Sequence, residues 1–158
     1  MGHMAILEIV KDPDPVLRRK AEPVTQVTKR IRRLIKDMLE TMYSADGVGL
    51  AAPQVGVSER VIVVDIGEGP VALINPEIEI DEASGKEIDV EGCLSIPGTF
   101  GYVERAEEVV VNGLNETGRS TRIKAEGLFA RALQHETDHL DGVLFIDHAL
   151  EIQSETDK

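Results

Sequence analysis

The stretch QHETDH, residues 134–139, restricts the fold of this chain more than any other part of its sequence. It contains the pattern H-E-x-x-H, and in a helix the spacing of four residues puts His135 and His139 on one face, about one turn apart. Two imidazoles placed in this way can bind one metal ion. Glu136 lies next to that face, where this pattern usually has a general base and not a ligand. The sequence therefore predicts a metal-binding helix over about residues 127–140.

The neighbours of the two histidines favour a buried site over a chance pattern on a surface helix. Leu128 and Ala132 lie on the same helical stripe as His135 and His139, so the imidazoles occupy an otherwise apolar face. Buried imidazoles need polar partners or a metal ion. Gly142 is a candidate C-cap that ends this helix.

A catalytic metal site of this kind needs a third protein ligand and an open position. Some metalloproteases take a third histidine after H-E-x-x-H-x-x-G, and Gly142 fits that glycine, but Phe145 occupies the position of the third histidine. His148 lies three residues too far along the chain. Cys93, in the turn-like segment EGCLSIPG between strands, is an attractive alternative, although a single cysteine is often an inert buried residue.

The segment GVGLAAPQVG, residues 47–56, opens with G-x-G-x-x-A, a permitted form of the dinucleotide-binding fingerprint. That fingerprint needs a strand before its first glycine and a helix after its last residue. Here a helix precedes it, because apolar residues recur at helical spacing from Val27 to Met42, and Pro53 opposes a new helix after it. We therefore reject a nucleotide site. Gly47 and Gly49 indicate a tight turn or a close approach of the backbone to another part of the chain.

The order of elements along the chain predicts an α+β fold. A first helix is expected from about Thr28, its N-cap, to Tyr43, and the metal-binding helix comes last. Between them lie four strand-like runs, RVIVVDI, VALINPEIEI, EEVVVNGLN and STRIKAE, with EGCLSIPG between the second and the third. A chain of 158 residues is expected to form a single domain over residues 4–158, after a cloning remnant at residues 1–3.

Composition argues against nucleic acid and membranes as partners. The net charge is −12 and aromatic residues make up only 3% of the chain, so basic or stacking surfaces for nucleic acid are not expected. No apolar stretch reaches the ~18 residues of a membrane span. A single cysteine permits no disulfide within the chain and suits a reducing compartment, so we expect a cytoplasmic protein.

Three segments, GVGLAAPQVG, EGCLSIPG and QHETDHLDGVLF, resemble the signature segments of bacterial peptide deformylases, in the same order and at suitable separations. The resemblance covers nearly the whole chain, and the three segments together are far more specific than H-E-x-x-H alone. It implies a catalytic domain in which antiparallel strands surround a central helix that carries the two histidines. It also implies that the protein removes the N-terminal formyl group from formyl-methionyl nascent polypeptides and releases formate.

The resemblance assigns roles to individual residues by their position. It implies that Cys93, His135 and His139 bind one divalent metal ion, and that Glu136 is the catalytic acid/base. Members of the family use Fe(II) in the cell and accept Ni(II), Co(II) or Zn(II), and the ligand types alone do not choose among these metals.

The other implied roles concern the substrate. The side chain of Gln54 and the backbone N–H of Leu94 would hold the substrate oxygen in a pocket too tight for an acetyl group. An extended peptide would lie beside the segment 47–56, and an apolar pocket would take the methionine side chain. The residues expected to contact substrate are Val48, Gly49, Leu50, Leu128, Arg131 and Ala132. Arg131 stands where many relatives are apolar, so we expect its methylene stem to line the methionine pocket and its charged head to reach the rim.

Two other functions share parts of this pattern. A metallo-endopeptidase would use the same ligands and Glu136 but would cleave internal peptide bonds. A non-catalytic module would use the ligands as a structural site, which normally needs a fourth protein ligand, and Glu91 is expected to pair with an arginine such as Arg105 instead. Some relatives carry a basic C-terminal helix used at the ribosome, whereas IDHALEIQSETDK is short and acidic, so contact with the ribosome is expected to be transient at most.

Overall fold

A computed structural model describes residues 5–154, so the expected cloning remnant at residues 1–3 lies outside the described part. The described residues form two α-helices, eight strands and four short 3-10 helices. The helices are α1 (Lys29–Ser44) and α2 (Gly127–Leu140), and the strands are β1 (Gly49–Ala51), β2 (Val61–Val64), β3 (Val71–Ile80), β4 (Lys86–Cys93), β5 (Ile96–Ala106), β6 (Glu108–Leu114), β7 (Ser120–Glu126) and β8 (Glu151–Ser154). All strand pairs within the two sheets are antiparallel, which confirms the predicted α+β class.

The larger sheet has the strand order β1-β2-β3-β6-β7. Its strand β2 is buried on both faces. Val61 and Val63 belong to the apolar cluster that packs against α1, whereas Ile62 and Val64 belong to the cluster that packs against α2. This two-sided burial explains why the run RVIVVDI is continuously apolar instead of alternating. The larger sheet therefore lies between the two helices.

The boundaries of both helices follow from capping residues in the sequence. The hydroxyl of Thr28 accepts a hydrogen bond from the backbone N–H of Ile31 at 3.4 Å, as expected for the N-cap of α1. Beyond α2, Gly142 has a left-handed φ of 74°, and the N–H of Val143 returns to the carbonyl of Asp138 at 3.0 Å. This pattern is the Schellman motif, which satisfies the last carbonyls of a helix. Within residues 5–154, neither helix is long and apolar enough to span a membrane.

The smaller sheet has the strand order β4-β5-β8, and none of its strands is among the four strand-like runs predicted from the sequence. Its strand β5 contains a proline and two glycines, which weaken the apolar alternation of a strand. Gly101 is needed there because a Cβ would lie 2.9 Å from Cβ of Ala149 and 3.1 Å from the carbonyl oxygen of Glu151. Helix α2 contacts strands of both sheets and so occupies the centre of the fold.

Candidate active site

The two histidines of the H-E-x-x-H pattern lie on the buried side of α2. His135 is 8% exposed and His139 is 1% exposed, and their ring centroids are 5.1 Å apart. The ring of Phe145 stacks against His135 with its centroid 6.1 Å away. The spacing of four residues thus places two imidazoles next to each other inside the protein.

The smaller sheet brings a thiol to the two imidazoles. Sγ of Cys93 lies 3.4 Å from Nε2 of His139, and the ligand atoms of Cys93, His135 and His139 all lie within 4.8 Å of one another. A thiolate at about 2.3 Å and an imidazole nitrogen at about 2.0 Å from a tetrahedral ion are about 3.5 Å apart. The donor types of all three residues, and the separation of Cys93 from His139, therefore fit a divalent transition-metal ion. We call these three residues the metal cluster.

Cys93 is the last residue of β4, and not part of a loop between strands as the sequence had suggested. Leu94 and Ser95 form the tight turn that joins β4 to β5, and the strand register shifts between Gly92 and Cys93. Glu91, two residues before Cys93, points to the same side of β4, toward α2. One strand end thus delivers both a ligand and a carboxylate to the central helix.

Glu91 fixes the orientation of His135. Its Oε1 lies 2.8 Å from Nδ1 of His135, which leaves Nε2 as the ring nitrogen that can serve as a metal ligand. Arg105 donates to both carboxylate oxygens of Glu91, at 2.9 and 3.0 Å, as predicted for this pair. Burial alone would raise the pKa of Glu91, but its hydrogen bonds with His135 and Arg105 hold that pKa well below its usual range. Glu91 is therefore an anion at neutral pH.

The surroundings of the metal cluster shift the pKa values of its two histidines in opposite directions. Burial alone would lower the pKa of His135, but interactions with Glu136, Cys93 and Glu91 raise it to about 10. Burial and the charge of His135 lower the pKa of His139 well below its ordinary value. Glu91 and Glu136 thus favour positive charge at His135, whereas His139 is a neutral imidazole at neutral pH, the form that binds a metal ion.

Glu136 explains why residue 49 is glycine. A Cβ on Gly49 would collide with Oε2 of Glu136, and a Cβ on Gly47 would lie 2.8 Å from Cδ1 of Leu94. Neither glycine has a positive φ angle. Close approach of the backbone to other parts of the chain, one of the two interpretations of these glycines, is therefore confirmed.

The carboxyl group of Glu136 is suited to proton transfer. Its side chain lies at the wall of a cavity, and its Oε1 has no hydrogen-bond partner among the described residues. Burial, reinforced by the nearby charge of Glu91, raises the pKa of Glu136 to about 7. A group with this pKa can both accept and release a proton near neutral pH.

Gln54 is held in one orientation at the edge of the metal cluster. It lies on the short 3-10 helix Ala52–Val55, where its Oε1 accepts a hydrogen bond from the N–H of Ala51 at 2.9 Å. Its Nε2 therefore points the other way and donates to Oγ of Ser95 at 3.1 Å and to Sγ of Cys93 at 3.4 Å. A fixed N–H donor beside the cluster is the geometry that stabilisation of a developing oxyanion requires.

A cavity of ≈ 440 Å³ opens beside these groups. Cys93, His135 and Glu136 contribute to its wall, as do Gln54 and Leu94. Of the residues expected to contact substrate, those that line it are Val48, Gly49, Leu128, Arg131 and Ala132. The structure thus brings together reactive groups and apolar side chains around one open space.

Leu50 does not line this cavity. Its side chain is fully buried in the apolar cluster under α1, with Met38, Met42 and Ile74. The Leu50 side chain therefore points away from a substrate in this cavity.

The expected position of the Arg131 head group is wrong. The guanidinium lies inside the protein, 2.6 Å from Oε2 of Glu91, and also donates to the backbone carbonyls of Val103 at 2.9 Å and Glu87 at 2.8 Å. The residue is only 8% exposed. The physical reason is that Glu91, already required to orient His135, offers a buried anion that an arginine one turn earlier on α2 can reach.

Sequence reasoning did not single out Ser95 and Asp138. Ser95 helps to hold Gln54, and Asp138 accepts a hydrogen bond from Arg105 at 2.6 Å. A signal was present for Ser95, because it stands within EGCLSIPG. No comparable signal marked Asp138, whose partner is 33 residues away in sequence.

Comparisons with known proteins agree on one family. The family model described as polypeptide deformylase matches residues 6–155. The peptide deformylase of Halothermothrix orenii is 60% identical over 154 residues, covering 96% of this chain and 99% of the relative. The crystal structure of peptide deformylase from Thermotoga maritima superposes with a TM-score of 0.89 at 49% identity, covering 94% of this chain and 99% of the other. A complex of the Ehrlichia chaffeensis peptide deformylase with actinonin gives a TM-score of 0.90 at 42% identity, covering 94% and 91% of the two chains.

Proposed function

This chain belongs to the polypeptide deformylase family, and we propose that it removes the N-terminal formyl group of new polypeptides at the metal cluster. The reaction is the hydrolysis of a formyl amide, which yields formate and a free methionine amine. The observation that carries this assignment is the convergence of Cys93, His135 and His139 within 4.8 Å of one another beside the buried carboxyl of Glu136.

The proposed ligands are Cys93 Sγ, Nε2 of His135 and Nε2 of His139, and they would hold one divalent ion per chain. We propose Fe(II) as the bound ion, as in other members of the family. Ni(II), Co(II) or Zn(II) could replace it, because thiolate and imidazole donors bind all of these ions. The ion would supply a Lewis acid that activates water and polarises the formyl carbonyl. Glu91 supports the ligand set by keeping His135 in one tautomer and one orientation.

Glu136 is the proposed acid/base. Its carboxylate would take the proton of the attacking water, and the resulting carboxylic acid would give that proton to the departing methionine nitrogen. Its pKa of about 7, raised by burial, supports both steps at neutral pH. The close approach of Gly49 supports a substrate position next to this carboxyl group.

Gln54 and Leu94 are the proposed donors to the formyl oxygen. The side-chain N–H of Gln54 is already fixed by Ala51, and the backbone N–H of Leu94 lies in the adjoining tight turn. The Nε2 of Gln54 also donates to Ser95 and Cys93, and one of these hydrogen bonds would be replaced by a bond to the formyl oxygen without turning the side chain. Leu94 packs against the backbone at Gly47, and together they would narrow the space left for the formyl group and exclude the larger acetyl group.

The methionine side chain is proposed to enter the cavity between Val48, Leu128 and Ala132. Val48 and Leu128 are 45% and 56% exposed although both are apolar, as expected for residues that a ligand covers. Arg131 belongs to the same wall, and its charge is paired with that of Glu91. The substrate backbone would lie along the edge strand β1, beside Val48, Gly49 and Leu50.

The two rival functions make different predictions. A structural metal site is normally closed by four protein ligands, whereas the cluster found within residues 5–154 has three and faces an open cavity. A metallo-endopeptidase would digest casein, which a deformylase would leave intact. The same proposal includes a cytoplasmic site of action, where formylated chains are made, at most transient contact with the ribosome, and no nucleic-acid partner.

The direct test is formate release from formyl-Met-Ala-Ser by anaerobically purified protein supplied with Fe(II) or Ni(II). We expect metal-dependent formate release and none of the corresponding acetate from acetyl-Met-Ala-Ser. Hydrolysis of casein without formate release would support the endopeptidase instead. Metal binding without either activity would support the structural site.

A further inference from the structure

Four large apolar side chains remain exposed on one face of the smaller sheet. Ile88 and Val90 of β4 are each 51% exposed, and Phe100 and Tyr102 of β5 are 46% and 44% exposed. Val90 pairs with Tyr102 across the two strands, so their side chains share a face, and Ile88 and Phe100 lie two residues along on the same face. We call these four residues the β4–β5 apolar strip.

The β4–β5 apolar strip is continuous with the cavity at the metal cluster. Val90 and Phe100 line that cavity. The ring of Phe100 lies against Gly92, where an added Cβ would be 3.0 Å from the ring. Ile88 and Tyr102 continue the strip beyond the cavity. An apolar surface that leads out of a substrate cavity suggests that the substrate extends along it.

The backbone of β4 is open on the same side. β4 is an edge strand, because β5 lies between it and β8. The carbonyl of Tyr102 accepts a hydrogen bond from the N–H of Leu150 at 2.8 Å, so the backbone groups of Tyr102 point toward β8. In an antiparallel pair the opposing residue, Val90, then points its N–H and C=O to the free edge. The N–H of Val90 accordingly donates to its neighbour Asp89 at 2.7 Å and not to β5.

Only one direction along β4 is open to a chain whose formyl end lies beside Cys93. Toward the other end, the strand enters the tight turn at Leu94 and Ser95, and Ser95 is fully buried with its carbonyl bound by the N–H of Asp12 at 2.8 Å. A polypeptide that pairs with β4 would therefore leave along this strand toward Lys86. At about 3.4 Å per residue, Val90 and Ile88 lie ~10 and ~17 Å beyond Cys93, opposite the fourth to sixth residues of an extended substrate.

We propose that the β4–β5 apolar strip binds the fourth to sixth residues of the nascent polypeptide as an added strand and prefers apolar side chains there. This inference rests on the proposed deformylase function. Glu104 and Glu151 pair with Ile88 and Tyr102 and border the strip with negative charge, so acidic substrate residues at these positions are disfavoured.

The test compares two soluble peptides that differ only at positions four to six. They are formyl-Met-Ala-Ser followed by Leu-Leu-Leu or by Ser-Ser-Ser, each ending in a lysine amide. We expect kcat/KM for the leucine peptide to be about three- to tenfold higher, because partial burial of apolar side chains stabilises the bound state. The tripeptide formyl-Met-Ala-Ser, which ends before Ile88 and Tyr102, measures the basal reaction.

Variants of residues outside the cavity separate the strip from the chemistry. Ile88→Ser and Tyr102→Ser should each reduce the leucine preference to below about twofold and leave the rate on the tripeptide unchanged. Ile152→Ser is the matched control. Ile152 is 49% exposed in the same sheet, but it pairs with Gly101 and so lies on the opposite face. This variant should keep the full preference.

Each outcome has a distinct meaning. Equal kcat/KM for the two long peptides, with normal turnover of the tripeptide, would overturn the inference and leave the deformylase function intact. No turnover of any formyl peptide would overturn the proposed function itself. A concentration-dependent dimer in sedimentation that Ile88→Ser dissociates, without a leucine preference in the parent, would show that a second copy of the chain covers the strip and would also overturn the inference.

Discussion

Oε1 of Glu91 lies 2.8 Å from Nδ1 of His135, and this contact decides which nitrogen of the ring can face Cys93 and His139. The same carboxylate accepts hydrogen bonds from Arg105 and Arg131, so two buried cations and one candidate ligand depend on it. Such a partner raises the basicity of a ligating imidazole and holds its orientation. Glu91 is therefore expected to support metal binding without contacting the metal.

The first prediction concerns Glu91→Gln, which keeps the shape of the side chain but removes its charge. We expect metal affinity to fall by about 10–100-fold, because His135 loses the anion that orients it. Competition with a chelator measures this change. Glu87→Gln is the control, since Glu87 lies on the same strand with an exposed side chain. Equal affinity in the parent and Glu91→Gln would show that Glu91 serves only the two arginines.

The second prediction concerns the ligands themselves. Cys93→Ala, His135→Ala and His139→Ala should each abolish tight binding of the metal, because two remaining donors leave the ion largely to solvent. Elemental analysis after gel filtration measures the metal content. His148→Ala should retain a full equivalent, since the His148 side chain is 50% exposed and lies beside Asp138, outside the metal cluster. Any ligand variant that keeps a normal metal content would remove that residue from the set.

The two helices and four of the strands could be predicted from local sequence, because each shows its own apolar periodicity or a capping residue. Helix α2 matches the expected range, and Thr28 caps α1 as expected. The hairpin of β4 and β5 was not predicted, since its apolar residues lie on an exposed face and Gly101 is required by contacts with Ala149 and Glu151. These contacts join distant parts of the sequence and leave no local trace.

The same distinction applies to the candidate site. The spacing of His135 and His139 was readable because a single helix sets it. The position of the Arg131 guanidinium could not be predicted in this way. It depends on Glu91, which lies 40 positions earlier in the sequence and contacts α2 only in the folded protein. Helical spacing alone predicts an exposed guanidinium for Arg131, because it contains no information about the buried carboxylate of Glu91 opposite the helix.

A third prediction follows from the fixed orientation of Gln54. Gln54→Ala should lower kcat/KM for formyl-Met-Ala-Ser by about 10²–10³, as expected for the loss of one preorganised donor to the oxyanion. Metal content should change little. Gln26→Ala, at an exposed position before α1, serves as the control. A loss of less than about threefold would leave Gln54 as a structural residue of its loop.

The fourth prediction concerns Arg131→Met, which keeps an apolar stem but removes the guanidinium. We expect the free energy of unfolding to fall by about 1.5–3 kcal/mol, because a charged hydrogen bond to Glu91 is lost in the interior. Urea unfolding measures this change. Arg122→Met, at a surface ion pair with a 64% exposed arginine side chain, should have a far smaller effect. Unchanged stability in Arg131→Met would contradict the buried contact.

The charge of Arg131 should not influence substrate choice in the parent protein. Its guanidinium is enclosed by Glu91 and two backbone carbonyls and is not available at the cavity rim. Formyl-Met peptides with Asp or Lys at the second position should therefore respond alike to Arg131→Met. A preference for Asp that this variant removes would place the head group at the rim after all.

The central claim is that Glu136 moves the proton in a metal-dependent deformylation, and formate release by Glu136→Gln tests it most directly. The measurement uses parent and variant loaded with the same metal to equal content, with formyl-Met-Ala-Ser as substrate. We predict that Glu136→Gln retains the metal, since Glu136 lies beside the cluster and not in it, and that it loses at least about 10²-fold in kcat. Formate release at the parental rate by the metal-loaded variant would contradict the account.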